Sequence, residues 1–202
     1  MANYYQKIAS KYDDIWNVYS ERTVENLLQT LSRQKIEFKA VIDYGCGTGS
    51  VLEALLKQNP QLQAYGVDPS PNMRKVAIEK LAGFSSVKII DSSELDSLPQ
   101  ADLVTTTNTL HYFDSPIEIL SKLGKKIKPN GLMYLSDYSK KSVLPRYFEW
   151  FIRMVDGQHV RAYELQEVIE MTSELKELEL LLAQKTDLGL WWRGYELLLK
   201  KL

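Results

Sequence analysis

The 202-residue chain predicts an α/β fold, a mainly parallel sheet with helices on both faces. Three observations carry that expectation. Between residues 40 and 137, short apolar runs rich in Val and Ile alternate with segments of helical periodicity. The first such run, Val41-Ile42-Asp43, passes through glycines at 45, 47 and 49 straight into Ser50-Val-Leu-Glu-Ala-Leu-Leu-Lys. The second run, Tyr65-Gly-Val-Asp68, ends on an acid roughly 20 residues after that loop.

Taken in order, residues 4–16 and 21–34 read as helices, with Val24, Leu27, Leu28 and Leu31 on one face of the second. A strand at 40–44 precedes a helix at 49–58, and a strand at 63–68 precedes a helix at 71–81. Pro71 suits the first turn of that helix, where its missing N–H is not needed. Strands follow at 87–91 and 102–108, then a helix at 116–127 that also opens on proline. Pro129-Asn130-Gly131 reads as a turn and 131–137 as a fifth strand. Pro145 to Met154 forms an aromatic-rich amphipathic pattern, and a further helix is expected at 162–171. Leu178-Glu-Leu-Leu-Leu-Ala and Tyr195-Glu-Leu-Leu-Leu-Lys fit strands or helix pieces by pattern alone, with breaks at Asp187, Gly189 and Gly194. In such sheets ligands bind at the C-terminal strand ends, near the topological switch point.

Composition narrows the function classes. The 25 basic and 26 acidic residues nearly cancel, which argues against a phosphate-backbone binder. Lys125, Lys126 and Lys128 read as the cationic C-terminal end of a helix. The single cysteine, Cys46, excludes an internal disulfide and speaks against a cysteine-based zinc site, so no metal is expected. No run of about 18 apolar residues and no signal-peptide core is visible. A cytoplasmic, single-domain protein with no membrane span is therefore expected.

The glycine loop is a ligand cradle, since glycine allows positive φ and close approach of a ligand to the main chain. Its spacing departs from the dinucleotide pattern G-x-G-x-x-G, with the third glycine one residue early and serine at 50. Asp43 beside the loop would repel a pyrophosphate. It suits S-adenosylmethionine, which has no phosphate and carries an ammonium and a sulfonium. Asp68 stands where nucleotide-binding folds place an acceptor for ribose hydroxyls. The plainer readings are a tight strand-to-helix turn and a polar strand end.

The ordered set of motifs resembles the class I S-adenosylmethionine-dependent methyltransferases of small-molecule type. Asp43-Tyr-Gly-Cys-Gly-Thr-Gly is similar to their first motif, and Val67-Asp-Pro-Ser-Pro-Asn-Met to their second. Ile90-Asp-Ser-Ser resembles the adenine-contact segment, Asp102 to His111 the fourth-strand motif, and Lys128 to Asp137 the turn into strand five. The resemblance implies a Rossmann-like, seven-stranded sheet whose last two strands form an antiparallel pair, the seventh lying between the fifth and sixth. It implies S-adenosyl-L-methionine as cofactor, held by Asp43, Gly45, Cys46, Gly47, Asp68, Pro69, Met73, Asp91, Ser92, Ser93 and Asn108. It implies one domain divided into helices at 1–35 over the site, a core at 40–137, a helical cap at 140–175 and terminal strands at 176–202. Tyr5, Ala9, Tyr12 and Asp13 resemble an N-terminal signature in which a ring closes over the methionine end, and Tyr12 is the residue expected there. Simple packing is the alternative for Tyr12, and for Phe148, Phe151 and Ile152 in the cap.

For chemistry, methyl transfer needs positioning, desolvation and, for an acceptor with a firmly held proton, a base. His111 follows the fourth strand and is the candidate base; a structural histidine bonding a loop carbonyl is the competing reading. His159 reads as a loop residue, and Asp137 as an acceptor-orienting group or a helix cap. Asn108-Thr-Leu-His replaces the Asn-Pro-Pro-Tyr signature of base and glutamine methylation. The expected reaction is methyl transfer to a small-molecule acceptor, through oxygen or carbon in preference to nitrogen. The alternatives are another S-adenosyl-type transfer and a non-catalytic binding protein on the same fold. The second predicts a degraded cofactor site, which Asp43, Gly45, Gly47 and Asp68 do not show. The sequence does not specify the oligomeric state.

Overall fold

A computed structural model describes residues 9–11, 16–140, 161–189 and 192–202. After a 3₁₀ turn at Ala9–Lys11, helix α1 (Asn17–Arg33) leads into β1 (Ala40–Tyr44), α2 (Ser50–Gln58), β2 (Gln63–Val67), α3 (Pro71–Lys80) and β3 (Val87–Ile90). Then come β4 (Ala101–Thr107), α4 (Pro116–Lys125), β5 (Ile127–Tyr138), α5 (Leu165–Ser173), β6 (Leu178–Asp187) and β7 (Arg193–Lys201). The strands form one seven-stranded sheet in the order β3-β2-β1-β4-β5-β7-β6. Strands β1 to β5 pair in parallel, and β7 runs antiparallel to both β5 and β6. The order reverses between β1 and β4, so the switch point falls where the glycine loop leaves β1.

The two faces of the sheet bury different sets of side chains, as alternation along a strand demands. Ile42, Val104, Met133, Leu135, Leu197 and Leu199 face one way and pack with Leu120 and Leu123 of α4 and Val168 of α5. Val41, Leu103, Tyr134 and Leu198 face the other way, against Leu27 and Leu31 of α1 and Leu52, Leu55 and Leu56 of α2. Both faces being covered explains why the central strands read as continuous apolar runs.

Some boundaries differ from expectation for physical reasons. Helix α1 begins at Asn17 rather than near 21, because the Trp16 carbonyl accepts from the Ser20 N–H and Tyr19 is buried on its inner face. Strand β5 begins at Ile127, ahead of the expected turn. Pro129-Asn130-Gly131 is a bulge inside it, with Asn130 at φ 63° and the register moving from Ala101↔Ile127 to Leu103↔Leu132. The tail is the strand pair the resemblance implied, with Leu197, Leu198 and Leu199 buried on alternate faces between two neighbours. Helix α5 packs on β6, β7 and α4, within the helical layer of the sheet. The aromatic helix expected at 145–154 lies outside the described residues. No described helix is long and apolar enough to cross a membrane.

Candidate cofactor and acceptor site

The loop after β1 is pinned to the end of β2, since the N–H groups of Gly45 and Cys46 both donate to the Val67 carbonyl, at 2.7 and 3.1 Å. Gly45 and Gly47 take left-handed φ values of 77° and 52°. They do so for different reasons. A Cβ on Gly45 would lie 2.0 Å from Thr109 Cγ2, so the loop touches the end of β4 there. A Cβ on Gly47 would meet nothing within 4 Å, so this residue faces open space. Cys46 turns its sulfur inward, 2.9 Å from where a Gly66 Cβ would stand, and belongs to the core beneath the loop. Only its main chain belongs to the cradle.

Two carboxylates flank this space. Asp43 is buried in β1, and its Oδ1 accepts from Thr105 Oγ1 on β4 at 2.7 Å. The β1/β4 register sets Asp43 directly opposite Thr105. The other oxygen, Oδ2, is buried without a hydrogen-bond partner. Burial pushes the Asp43 carboxyl up to about 7, against the opposing hydrogen bond from Thr105 and with a smaller push from Asp68. Asp68 is 7% exposed; its Oδ2 accepts from Gly47 N at 2.9 Å and its Oδ1 from Ser70 N at 2.8 Å. Burial raises its pKa as well, while those two hydrogen bonds pull the other way. Arg74 donates to the Asp68 carbonyl at 2.6 Å and pairs with Asp91 at 2.7 Å. Among the described residues no lysine or arginine ion-pairs with the carboxylate of Asp43 or Asp68. The cradle is therefore negative, open above Gly47 and short of a donor at Asp43 Oδ2. That fits a nucleoside bearing an ammonium and no phosphate, and it disfavours a pyrophosphate.

The rim of the cradle is built at the ends of β2 and β3, which are tied by Asp68 N donating to the Ile90 carbonyl at 3.2 Å. Pro69 leads to Ser70, which caps α3 by accepting from Met73 N, and Met73 is buried. Asp91 caps the 3₁₀ turn Ser92–Ser97, accepting from Ser93 N at 3.0 Å and Ser93 Oγ at 2.8 Å. Asp91 and Ser93 thus shape the rim through local capping, and Ser92 opens the turn between them.

At the end of β4, Asn108 adopts φ 54° and its N–H donates to the Ser136 carbonyl at 2.8 Å. Oδ1 accepts from Tyr19 Oη at 2.6 Å, and Nδ2 donates to Thr23 Oγ1 at 3.0 Å, so α1 takes both ends. Asn108 therefore anchors α1 across the strand ends.

His111 lies in the 3₁₀ turn Leu110–Tyr112 that follows, and it is buried. Its Nδ1 sits 2.9 Å from both oxygens of Asp137, and its main-chain N–H donates to Asp137 Oδ2 at 3.1 Å. This pairing was not legible from either residue alone. The signal lay in the topology: adjacent parallel strands ending in step bring the residue after β4 to the last turn of β5. Half-buried rings surround the pair, with Tyr112 at 3.9 Å and Tyr138 at 4.8 Å from the imidazole, centroid to centroid. Trp192 continues the run from Tyr138 to Tyr19 and Trp16.

The structure thus brings together Asp43, Gly45, Gly47, Asp68, Asp91, Asn108 and His111 along one edge of the sheet. Tyr12, His159, Phe148, Phe151 and Ile152 lie outside the described residues.

Residues 16–175 match the methyltransferase domain family, and the chain belongs to that family, with the class I S-adenosylmethionine-dependent methyltransferase fold. It is 29% identical over 145 residues to a malonyl-[acyl-carrier protein] O-methyltransferase of Halalkalibacterium halodurans, covering 67% of this chain and 53% of that protein. It is 25% identical over 205 residues to the protein of the same name from a Marinomonas species, covering 96% of this chain and 74% of that one. The chain thus spans about half the length of the first relative. Among solved structures, an S-adenosylmethionine-dependent methyltransferase from Aquifex aeolicus superposes with a TM-score of 0.74, at 19% identity and 98% coverage of each chain.

Proposed function

We propose that this chain transfers a methyl group from S-adenosylmethionine to a small-molecule acceptor, through oxygen or carbon in preference to nitrogen. The observation that carries the reading is the pair of buried carboxylates beside an open glycine loop. Asp43 Oδ2 is the buried acceptor that a methionine ammonium would satisfy. Asp68 uses one lone pair on each oxygen for Gly47 and Ser70 and keeps acceptor capacity for ribose hydroxyls. Met73 and the Asp91 to Ser93 turn would bound the adenine, and the Gly47 main chain would allow close approach. When bound, this group supplies an electrophilic methyl on a sulfonium. The protein's own part is to hold the acceptor in line, exclude water and take a proton where the acceptor carries one. His111, paired with Asp137, would be the group for the last task.

Titration calorimetry with S-adenosylhomocysteine tests the reading. Saturable binding with a raised melting temperature is expected, because a ligand selective for the native state stabilises it. NADH should do neither. Binding of NADH with no response to S-adenosylhomocysteine would overturn it.

A further inference from the structure

We propose that Arg74 is a positioning residue for the nucleoside half of the cofactor site. Its guanidinium ties the end of β2, which carries Asp68, to the Asp91 turn after β3, and so fixes the cleft in which ribose and base would lie. This rests on the methyl-transfer reading above and deepens it.

The cleft opens where the two strands part. β2 and β3 stay in register through Val67↔Ile90, and their last main-chain bond runs from Asp68 N to the Ile90 carbonyl at 3.2 Å. The next residue after β2 is Pro69, which has no N–H to donate. On the other chain, Asp91 N donates to Glu94 Oε1 at 3.3 Å, inside the cap of its own 3₁₀ turn. Neither chain can extend the ladder, so the tie comes from a third element. Arg74 Nη1 donates to the Asp68 carbonyl at 2.6 Å and pairs with Asp91 Oδ2 at 2.7 Å. The Asp68 carboxylate is engaged separately, by the N–H groups of Gly47 and Ser70. Asp91 Oδ1 likewise keeps its bonds to Ser93. The guanidinium therefore joins the two ends without disturbing either cap.

The placement of this arginine supports the role. Arg74 N donates to the Ser70 carbonyl, so the residue closes the first turn of α3, and that turn contains no acid. A cation at the positive end of a helix dipole is disfavoured by the helix itself. Asp68 and Asp91, both outside the helix, supply the compensating charge. The Arg74 and Asp91 side chains are 21% and 34% exposed, so the pair contributes little to stability and acts through geometry.

Charge adds a second effect. Asp68 is coupled to Asp43 and Tyr44 on β1, to Cys46 in the glycine loop and to Asp91 after β3. Arg74 is the cation that opposes them, and it holds the Asp68 carboxyl below where burial and Asp91 would otherwise leave it. An ionised carboxylate is acceptor-only, the form suited to two ribose hydroxyls.

The test uses the full chain and two ligands. S-adenosylhomocysteine is one; methylthioadenosine, which shares the nucleoside and lacks the amino-acid end, is the other. Arg74→Met keeps the side-chain length and removes the charge. It should weaken both ligands by the same factor, about tenfold, and Arg74→Lys should recover part of each loss. In an Asp91→Asn background, Arg74→Met should cost less than in wild type, because the pair is already broken. Should Arg74→Met fail to fold, Asp91→Asn alone carries the comparison, with an equal loss for the two ligands expected. Methylthioadenosine has no ammonium to meet Asp43, so its acid limb reads Asp68. Its affinity should fall as Asp68 takes up a proton, and in Arg74→Met that fall should begin at a higher pH. Unchanged affinities in Arg74→Met, a loss confined to S-adenosylhomocysteine, or a lowered melting temperature with the acid limb unmoved would overturn the proposal while leaving the cofactor reading intact. Wild-type protein that binds neither ligand would instead sink the methyl-transfer reading, and this proposal with it.

Discussion

Tyr19 donates its hydroxyl to Asn108 Oδ1 across 2.6 Å, joining the first turn of α1 to the end of β4, 89 residues later in the chain. Thr23, one helical turn on, receives the other end of the same amide at 3.0 Å. The tether holds the left-handed turn that delivers His111, so it links the N-terminal helix to the site edge. Tyr19→Phe removes one partly buried hydrogen bond and should cost about 0.5–1.5 kcal/mol. For a chain of this size that is a fall in Tm of roughly 2–4 °C per kcal/mol. Asn108→Ala should cost more, since it also places alanine at φ 54°. A thermal melt showing equal Tm for wild type and Asn108→Ala would contradict the tether.

The two loop glycines should separate folding from binding. Gly45→Ala places a methyl 2.0 Å from the Thr109 side chain at φ 77° and should lower stability sharply. Gly47→Ala meets open space, so its cost to the fold should be about 1–2 kcal/mol from left-handed backbone alone. Its S-adenosylhomocysteine affinity should fall much further than its stability does. Gly47→Val should widen that gap. Paired melts and calorimetric titrations decide the matter, and equal behaviour of the two positions would remove the case for a cradle at Gly47.

Asp68→Ala should weaken S-adenosylhomocysteine binding by roughly 1.5–3 kcal/mol, the scale of hydrogen bonds to a charged group. The change also orphans the Gly47 and Ser70 N–H groups, so a loss of stability should accompany it. Asp68→Asn keeps an acceptor oxygen and should recover part of both. Unaltered calorimetric affinity in Asp68→Ala would move the ribose contact elsewhere.

Asp43 makes the ligand-free protein pH-sensitive. Its carboxyl is raised from 3.8 to about 7 in the folded state, mainly by burial. Its contribution is fully present below pH 3.8 and is lost as pH rises toward 7, because between these values the unfolded chain releases a proton that the folded chain keeps. At about 1.4 kcal/mol per unit this amounts to a few kcal/mol. Asp43→Asn should flatten that segment of the stability profile and raise ligand-free stability at pH 7.5, while weakening S-adenosylhomocysteine binding through loss of the charge opposite the ammonium. Denaturant melts of the two proteins between pH 4 and 8 provide the check. Parallel profiles would show that the Asp43 carboxyl titrates alike in both states.

Much of the architecture was legible because it depends on local pattern. The strand, glycine loop and helix at 40–58, Pro71 and Pro116 at helix starts, and Asp68 at a strand end all follow from backbone sterics and hydrophobic period. The positions of Asp43, Gly45, Gly47 and Asp68 were legible for the same reason, since they lie within a few residues of those ends. Asn108 was placed at the right strand end, but its hydrogen bonds to α1 were not foreseen. Its amide is claimed by Tyr19 and Thr23, which are distant in sequence, and no periodicity reports such a pairing. Cys46 was placed in the loop, yet its side chain belongs to the core, because main chain and side chain face opposite ways at that turn.

By itself the sequence determined the alternation of strands and helices, the glycine loop and the acids that border it, because steric and hydrophobic preferences act over a few residues. Tertiary structure alone decided that Asp137 meets His111, that Asp43 keeps an unsatisfied oxygen, and that Trp16, Tyr19, Tyr138 and Trp192 join in one aromatic run. The tail strands, with β7 between β5 and β6, were ambiguous by local pattern and were implied only by the family resemblance, which the sheet order bears out. These relations depend on which strand ends are neighbours and on what burial removes from water. Both are properties of the assembled sheet and of no single segment.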